Sequence, residues 1–181
     1  MSRVVTHFSV AGLMMLAFAL PASAGNIYCS VVSAQQGTFQ GAATVQGSAS
    51  LIPVYSLSEE VTVPYDTATG ANTGKAQFAP LTITKELDKS SPQFFLAAVN
   101  GEHLRTVTCT LYHTTTDGME RAYYKIVLTN AYIVEVKDSG DGVNGTALGD
   151  ERERISFSYE KIALTDLDSG TAAVENWTPA K

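Results

Sequence analysis

Residues Arg154-Ile155-Ser156-Phe157-Ser158-Tyr159-Glu160-Lys161-Ile162-Ala163-Leu164 decide the fold class. In an extended chain Ile155, Phe157, Tyr159, Lys161 and Ala163 share one face, while Arg154, Ser156, Ser158, Glu160 and Ile162 share the other. That is the period of two that a half-buried strand requires. One side of this segment packs and the other meets water.

The same period recurs outward from it. Ile27–Val32, 49–54, 59–63, Leu81–Glu86, 106–113 and 122–136 are each rich in Val, Ile, Thr, Tyr or Phe, and each reads as a strand. Between Asp88 and Glu102 the pattern changes. Ser91 suits an N-cap, Pro92 the first helical position, and Phe94, Phe95, Ala98 and Val99 an apolar face, with Asn100-Gly101 as the stop. One short amphipathic helix is expected inside a mainly β chain. Asp66-Thr67-Ala68-Thr69-Gly70 with Asn72-Thr73-Gly74 makes a polar loop, and Asp117-Gly118 a hairpin turn. The acidic, glycine-rich residues 138–150 read as an exposed excursion between the last two strands. Many strands joined by turns favour a closed barrel or a sandwich, because closure removes exposed edges.

The 181 residues fit one domain behind an N-terminal processing signal. Arg3 supplies a positive start, residues 10–20 an apolar stretch, and Pro21-Ala22-Ser23-Ala24 an A-x-A cleavage pattern. The boundaries expected are 1–24 for the signal peptide, 25–166 for the barrel domain and 167–181 for a frayed tail. The apolar stretch is too short for a bilayer, which takes roughly 20 apolar residues, so no membrane anchor is expected. The mature chain is then secreted or periplasmic; an unused leader would leave it in the cytoplasm. Removing Arg3 leaves 11 Lys+Arg (12 − 1) against 18 Asp+Glu. That balance disfavours phosphate backbones and anionic lipid, so no nucleic acid partner is expected. Cys29 and Cys109 both fall on apolar faces of their strands, which suits a disulfide in an oxidising compartment; two buried free thiols are the alternative.

Candidate chemistry is sparse. His103 and His113 read as surface residues, and no H-E-x-x-H, C-x-x-C, G-x-S-x-G or P-loop arrangement occurs. Asp138, Asp141, Asn144 and Asp150 are oxygen donors of the kind calcium takes, but their spacing is not that of an EF-hand, and a solvated turn is the simpler reading. Ser90 and Ser91 read as capping residues rather than nucleophiles, and Tyr123-Tyr124 as one core and one outer ring. No catalytic residue, cofactor or metal is expected.

The segment Pro80-Leu81-Thr82-Ile83-Thr84-Lys85-Glu86-Leu87-Asp88-Lys89-Ser90-Ser91-Pro92 strongly resembles the signature of the Hcp (haemolysin-coregulated protein) family of type VI secretion systems. Residues 61–70 with Thr73-Gly74 look like that family's extended loop, residues 122–131 like its Y-Y-x-I-x-L-x-x-A strand, and 155–162 like its closing strand. The similarity runs from about Ile27 to Leu164.

The resemblance implies a compact β-barrel with one helix on its side. It also implies homohexameric rings, stacked head to tail as the inner tube of a contractile machine, with effectors in the lumen, a spike at the tip and a sheath outside. The work is then mechanical, and no enzyme is implied. The loop 64–75, with Pro64, Asp66, Thr69, Gly70 and Gly74, is the candidate inter-ring element. Members typically lack an export leader, so Met1–Ala24 sets this chain apart, and Leu164 stands where the family has an aromatic residue. An exported binding or effector module that forms no tube is the alternative function. N-terminal sequencing of the native protein should read Gly25 first in a periplasmic or extracellular fraction; an intact leader in the cytosol rejects export.

Overall fold

A computed structural model describes residues 25–43, 50–140 and 151–176. The leader, most of the glycine-rich excursion, including Asp141, Asn144 and Asp150, and residues 177–181 lie outside the described residues. The expected strand start at Ala49 does too.

The strands are β1 (Asn26–Ser33), β2 (Ile52–Val54), β3 (Ser56–Ser58), β4 (Val61–Thr62), β5 (Gln77–Phe78), β6 (Leu81–Glu86), β7 (Leu104–Thr114), β8 (Glu120–Ser139), β9 (Arg152–Asp166) and β10 (Ala172–Asn176), with helix α1 (Ser91–Val99) between β6 and β7. The main sheet runs β2-β1-β7-β8-β9-β6-β3, and neighbouring strands are antiparallel. Its two outermost strands, β2 and β3, are separated in the chain by Tyr55 alone. One bent segment therefore bridges β1 and β6, and the sheet curls into a nearly closed barrel. At the bend the Tyr55 amide donates to the Thr84 carbonyl at 2.8 Å, and the Tyr55 ring lies 4.6 Å from the Arg152 guanidinium.

Barrel curvature explains where the strand reading slips. Ile155, Phe157 and Tyr159 face inward as the alternation requires, but the next buried residue of β9 is Ile162, not Lys161. The same skip occurs beside it: Leu128 then Ala131 on β8, Leu104 then Val107 on β7. Asn130, at φ 53°, sits in this row in the left-handed region that Asn tolerates better than most residues. The inward face thus changes sides of the pleat across three adjacent strands.

The tail expectation also needs correction. β10 pairs with β9 from Ala172 opposite Thr165 to Asn176 opposite Lys161. All five β10 residues are exposed, so no apolar alternation announces the strand. β3 and β5 escape notice for a related reason, having three and two residues.

Helix α1 packs inward through Phe94 and Ala97, while Phe95 and Val99 of the expected apolar face stay exposed. The Phe94 ring stands edge-on to Phe39 at 5.1 Å and to Phe157 at 6.2 Å. The N-cap is Ser90, one residue earlier than the sequence suggests, and it makes no side-chain capping bond. Both serines are recruited instead by a buried charge.

That charge is Lys85, wholly buried. Its Nζ lies 2.8 Å from Glu153 Oε2 and 2.9 Å from Asp88 Oδ1, and it also donates to the Glu86 carbonyl at 2.7 Å and to Ser91 Oγ at 2.9 Å. Ser91 Oγ accepts from the Asp88 amide and donates to Glu153, and Ser90 Oγ donates to Asp88. Burial works against ionisation of Asp88, but hydrogen bonds from Ser90 and Lys85 outweigh it and hold its carboxyl below the ordinary range.

A second buried carboxylate, Glu102, receives Ser33 Oγ, the Gln35 and Gln36 amides and Gln36 Nε2, fixing the turn after β1 against the start of β7. Burial opposes its charge, yet these four donors hold it at about 2. On β1 and β7, Cys29 and Cys109 are direct cross-strand partners with Cα atoms 4.1 Å apart, their sulfurs joined and sealed inside the barrel.

Lys85→Met, which strands two carboxylates, should cost about 3–5 kcal/mol in urea unfolding. Because the Glu102 carboxyl sits lower folded than unfolded, its contribution should be intact above the ordinary value of 4.5 and vanish as pH falls toward about 2. Acid titration of the parent against Glu102→Gln should show that component missing in the variant.

Candidate functional site

The loop after β3 is not irregular. Glu60 carbonyl accepts from the Ala79 amide, Val61 pairs with Phe78 and Thr62 with Gln77, and Tyr65 bridges to Asn72. These pairings make a separate two-stranded ribbon between β3 and β6, with residues 61–77 exposed except the half-buried Pro64. At about 3.3 Å per residue, the arm from Glu60 to its tip is on the order of 20 Å long.

The nominated residues build this ribbon. Asp66 Oδ1 accepts from the Ala68 and Thr69 amides at 2.7 and 3.1 Å, and the Asp66 amide and carbonyl close the tip with Ala71 and Gly70. Thr69 Oγ1 accepts from the Ala71 amide at 3.3 Å. Gly70 takes φ 71°, open to glycine with little strain. The Pro64 carbonyl accepts from the Thr73 amide at 2.9 Å, and a Cβ on Gly74 would meet Pro64 Cγ at 3.2 Å, so the two arms close tightly there. Val61, Val63 and Tyr65 fall on one face and are all exposed.

The same tip recurs a hundred residues on. Asp166-Leu167-Asp168-Ser169-Gly170-Thr171 repeats the D-x-x-[ST]-G spacing and the bonds: Asp166 Oδ1 accepts from the Asp168 and Ser169 amides, and Gly170 takes φ 73°. The Ser169 amide, then its hydroxyl, holds the Asp166 carboxyl below its usual value. Comparing the two stretches of sequence reveals the β9–β10 hairpin without any apolar pattern.

A second exposed apolar surface lies on α1: Phe95 and Val99 of the expected apolar face, with Leu96 beside them. The remaining candidates are scattered. His103, just before β7, meets Asn130 Oδ1 at 3.1 Å, and His113, near the other end of β7, lies against the Tyr123 ring. Ser90 and Ser91 belong to the Lys85 cluster. Tyr123 and Tyr124 are both half-buried, and Asp138 faces Glu153 across β8 and β9. Among the described residues no group of three metal-ligating side chains converges, and every buried side-chain nitrogen or oxygen has a partner. A shallow polar groove beside the ribbon's base is lined by Thr82, Glu135, Arg154 and Ser156. There Arg154 and then Ser156 donate to Glu135 and hold its carboxyl low.

The geometry is that of a packed wall with exposed apolar side chains on the ribbon and on α1. The family described as "Type VI secretion system effector, Hcp" matches residues 32–165. The "Major exported protein" of Pseudomonas aeruginosa is 32% identical over 161 residues, spanning 83% of this chain and 94% of that protein. A solved structure titled as the secreted protein Hcp3 from the same organism has 28% identity and a TM-score of 0.69, covering 86% of this chain and 99% of that one. A crystal structure of an Hcp protein at 24% identity superposes with a TM-score of 0.79 over 87% of this chain and 100% of the other, which shows the shared fold.

Replacing Asp66 with Ala should leave barrel stability within about 0.5 kcal/mol, as for other exposed positions. Hydrogen exchange should accelerate at Ala68 and Thr69 while β7 to β9 keep their protection.

Proposed function

Because the chain belongs to the Hcp family of type VI secretion proteins, we propose that it is a ring-forming tube subunit that is itself exported, and that its barrel walls close a homohexamer whose lumen accommodates effectors. The observation that carries this reading is the ribbon 60–79: hydrogen-bonded within itself, capped at Asp66, and carrying an exposed apolar stripe. A monomer gains nothing from exposing such a stripe; a copy of itself does. A heterologous contact between different patches repeats without saturating, which is what a stack of rings needs.

The leader 1–24 sends the chain through general export, and the barrel from β1 through β10 is the unit that assembles. Sheath, spike and effectors are its partners within the secretion machine. The disulfide between Cys29 and Cys109 belongs to this picture, since export delivers both thiols to an oxidising compartment. Its loop, with a sequence separation of 80, should stabilise the barrel by about 4–5 kcal/mol on the chain-entropy argument. No bond is made or broken in the work: force and geometry do it.

The test is assembly of the purified mature protein. Electron microscopy should show closed rings at high concentration, and deletion of residues 64–74 should leave rings while removing stacks. A protein that stays monomeric in both reducing and oxidising buffer overturns the tube reading and leaves an exported binding module. A Cys29→Ser, Cys109→Ser double variant should unfold at a lower urea concentration than the oxidised parent and at the same concentration as the reduced parent.

A further inference from the structure

Strand β6 carries an exposed apolar patch beyond each of its ends. The ribbon joins it at Leu81, and α1 follows its other end, after Glu86 and the short link 87–90. On the ribbon the patch is Val61, Val63 and Tyr65, at 43, 38 and 62% exposure. On the helix it is Phe95, Leu96 and Val99, at 62, 47 and 67%. Phe95 and Val99 are four apart and Leu96 lies beside them, so the three form one continuous surface.

The two patches match in charge as well as polarity. Residues 91–99 contain no charged side chain, and neither do residues 61–65, which carry the stripe; the ribbon's charges are Glu60 at its base, Asp66, whose carboxylate is turned to the Ala68 and Thr69 amides, and Lys75 on the opposite arm. Pressing one against the other buries no unpaired ion, which is the usual obstacle to an interface core. Within one molecule they leave β6 at opposite ends, separated by the strand's own length of roughly 20 Å. Between copies displaced along that strand, the ribbon of one advances toward the helix of the next.

We propose that the Phe95–Leu96–Val99 face of α1 is the seat for the Val61–Val63–Tyr65 stripe of a second copy, so that the ribbon of each ring docks on the helices of its neighbour. This rests on the reading of the ribbon as the inter-ring element and names its receptor. The contact is heterologous, with the ribbon as plug and the helix as socket, and every subunit offers one of each.

Two experiments on the mature chain decide it. Tyr65→Cys and Val99→Cys are made separately, mixed and oxidised; a covalent dimer should form in the mixture by joining ribbon to helix, and a ladder of oligomers should form when both substitutions share one chain. In the second, Phe95→Asp with Val99→Asp should lower the fraction of stacked rings about tenfold or more, as loss of a contact hot spot does, with circular dichroism and single rings unchanged. Pairing Val63→Lys with Val99→Glu should restore stacks that either substitution alone removes. If deleting 64–74 abolishes stacking but the helix variants stack normally and no crosslink forms, the socket is wrong and the inter-ring ribbon stands. If the helix variants dissolve the rings themselves, α1 lies within the ring and the assignment falls. If neither deletion nor substitution alters stacking, both readings fall together.

Discussion

A single ammonium group, sealed from water at Lys85, sets the terms for the fold around it. Taking a lysine charge out of solvent costs several kcal/mol unless partners meet it with good geometry. The chain supplies Glu153 from β9, Asp88 from the turn after β6, Ser91 from the first turn of α1, and the Glu86 carbonyl. Those contacts pin the end of β6 to the start of β9 and fix the angle at which α1 departs. Phe94 is thereby delivered onto Phe39 and Phe157, and the helix presents its other side outward. The family signature from Pro80 to Pro92 is thus legible as physics: a strand, a buried cation, its acceptors and the helix they aim.

This division of labour separates stability from assembly. The charges that must be satisfied lie inside, around Lys85 and Glu102, where every donor and acceptor has a fixed partner. The exposed apolar side chains, Val61, Val63 and Tyr65 on the ribbon and Phe95, Leu96 and Val99 on the outer side of α1, lie apart from both buried clusters. On the proposed reading, variation at those side chains would retune association without disturbing the buried charge clusters.

Much of this was readable in advance, and the exceptions have definite causes. Leu81–Glu86 was bounded correctly because its alternation is clean and Pro80 starts it. The polarity of Ile162 and Lys161 was misassigned because a strict period of two cannot register a change of pleat side, which is made by the backbone at Asn130 and by curvature. β10 was missed since pattern reading detects burial, and a fully exposed strand has none; the repeated D-x-x-[ST]-G spacing was the available signal. The first arm of the ribbon falls within the strand expected at 59–63, whereas the second arm carries no such signal, because Lys75, Ala76 and Gln77 offer no strand-like alternation. Of the apolar face expected on α1, Phe94 is buried while Phe95 and Val99 are exposed, since amphipathic spacing shows that a face is apolar without showing what covers it.

Tyr55 closes the barrel, and its position has a mechanical meaning. Everywhere else around the circumference, neighbouring strands are laced by ladders of several bonds; where β2 gives way to β3, one segment turns a corner and the lacing passes from one neighbour to the other. Any outward pressure on the wall produces hoop tension, and that tension concentrates where the stitching is shortest. The Tyr55 amide on Thr84 and the ring stacked on Arg152 act as the clasp of that seam. Under load, this cylinder should yield first as a slit along one line, while the opposite side, made by the long strands β8 and β9, stays whole.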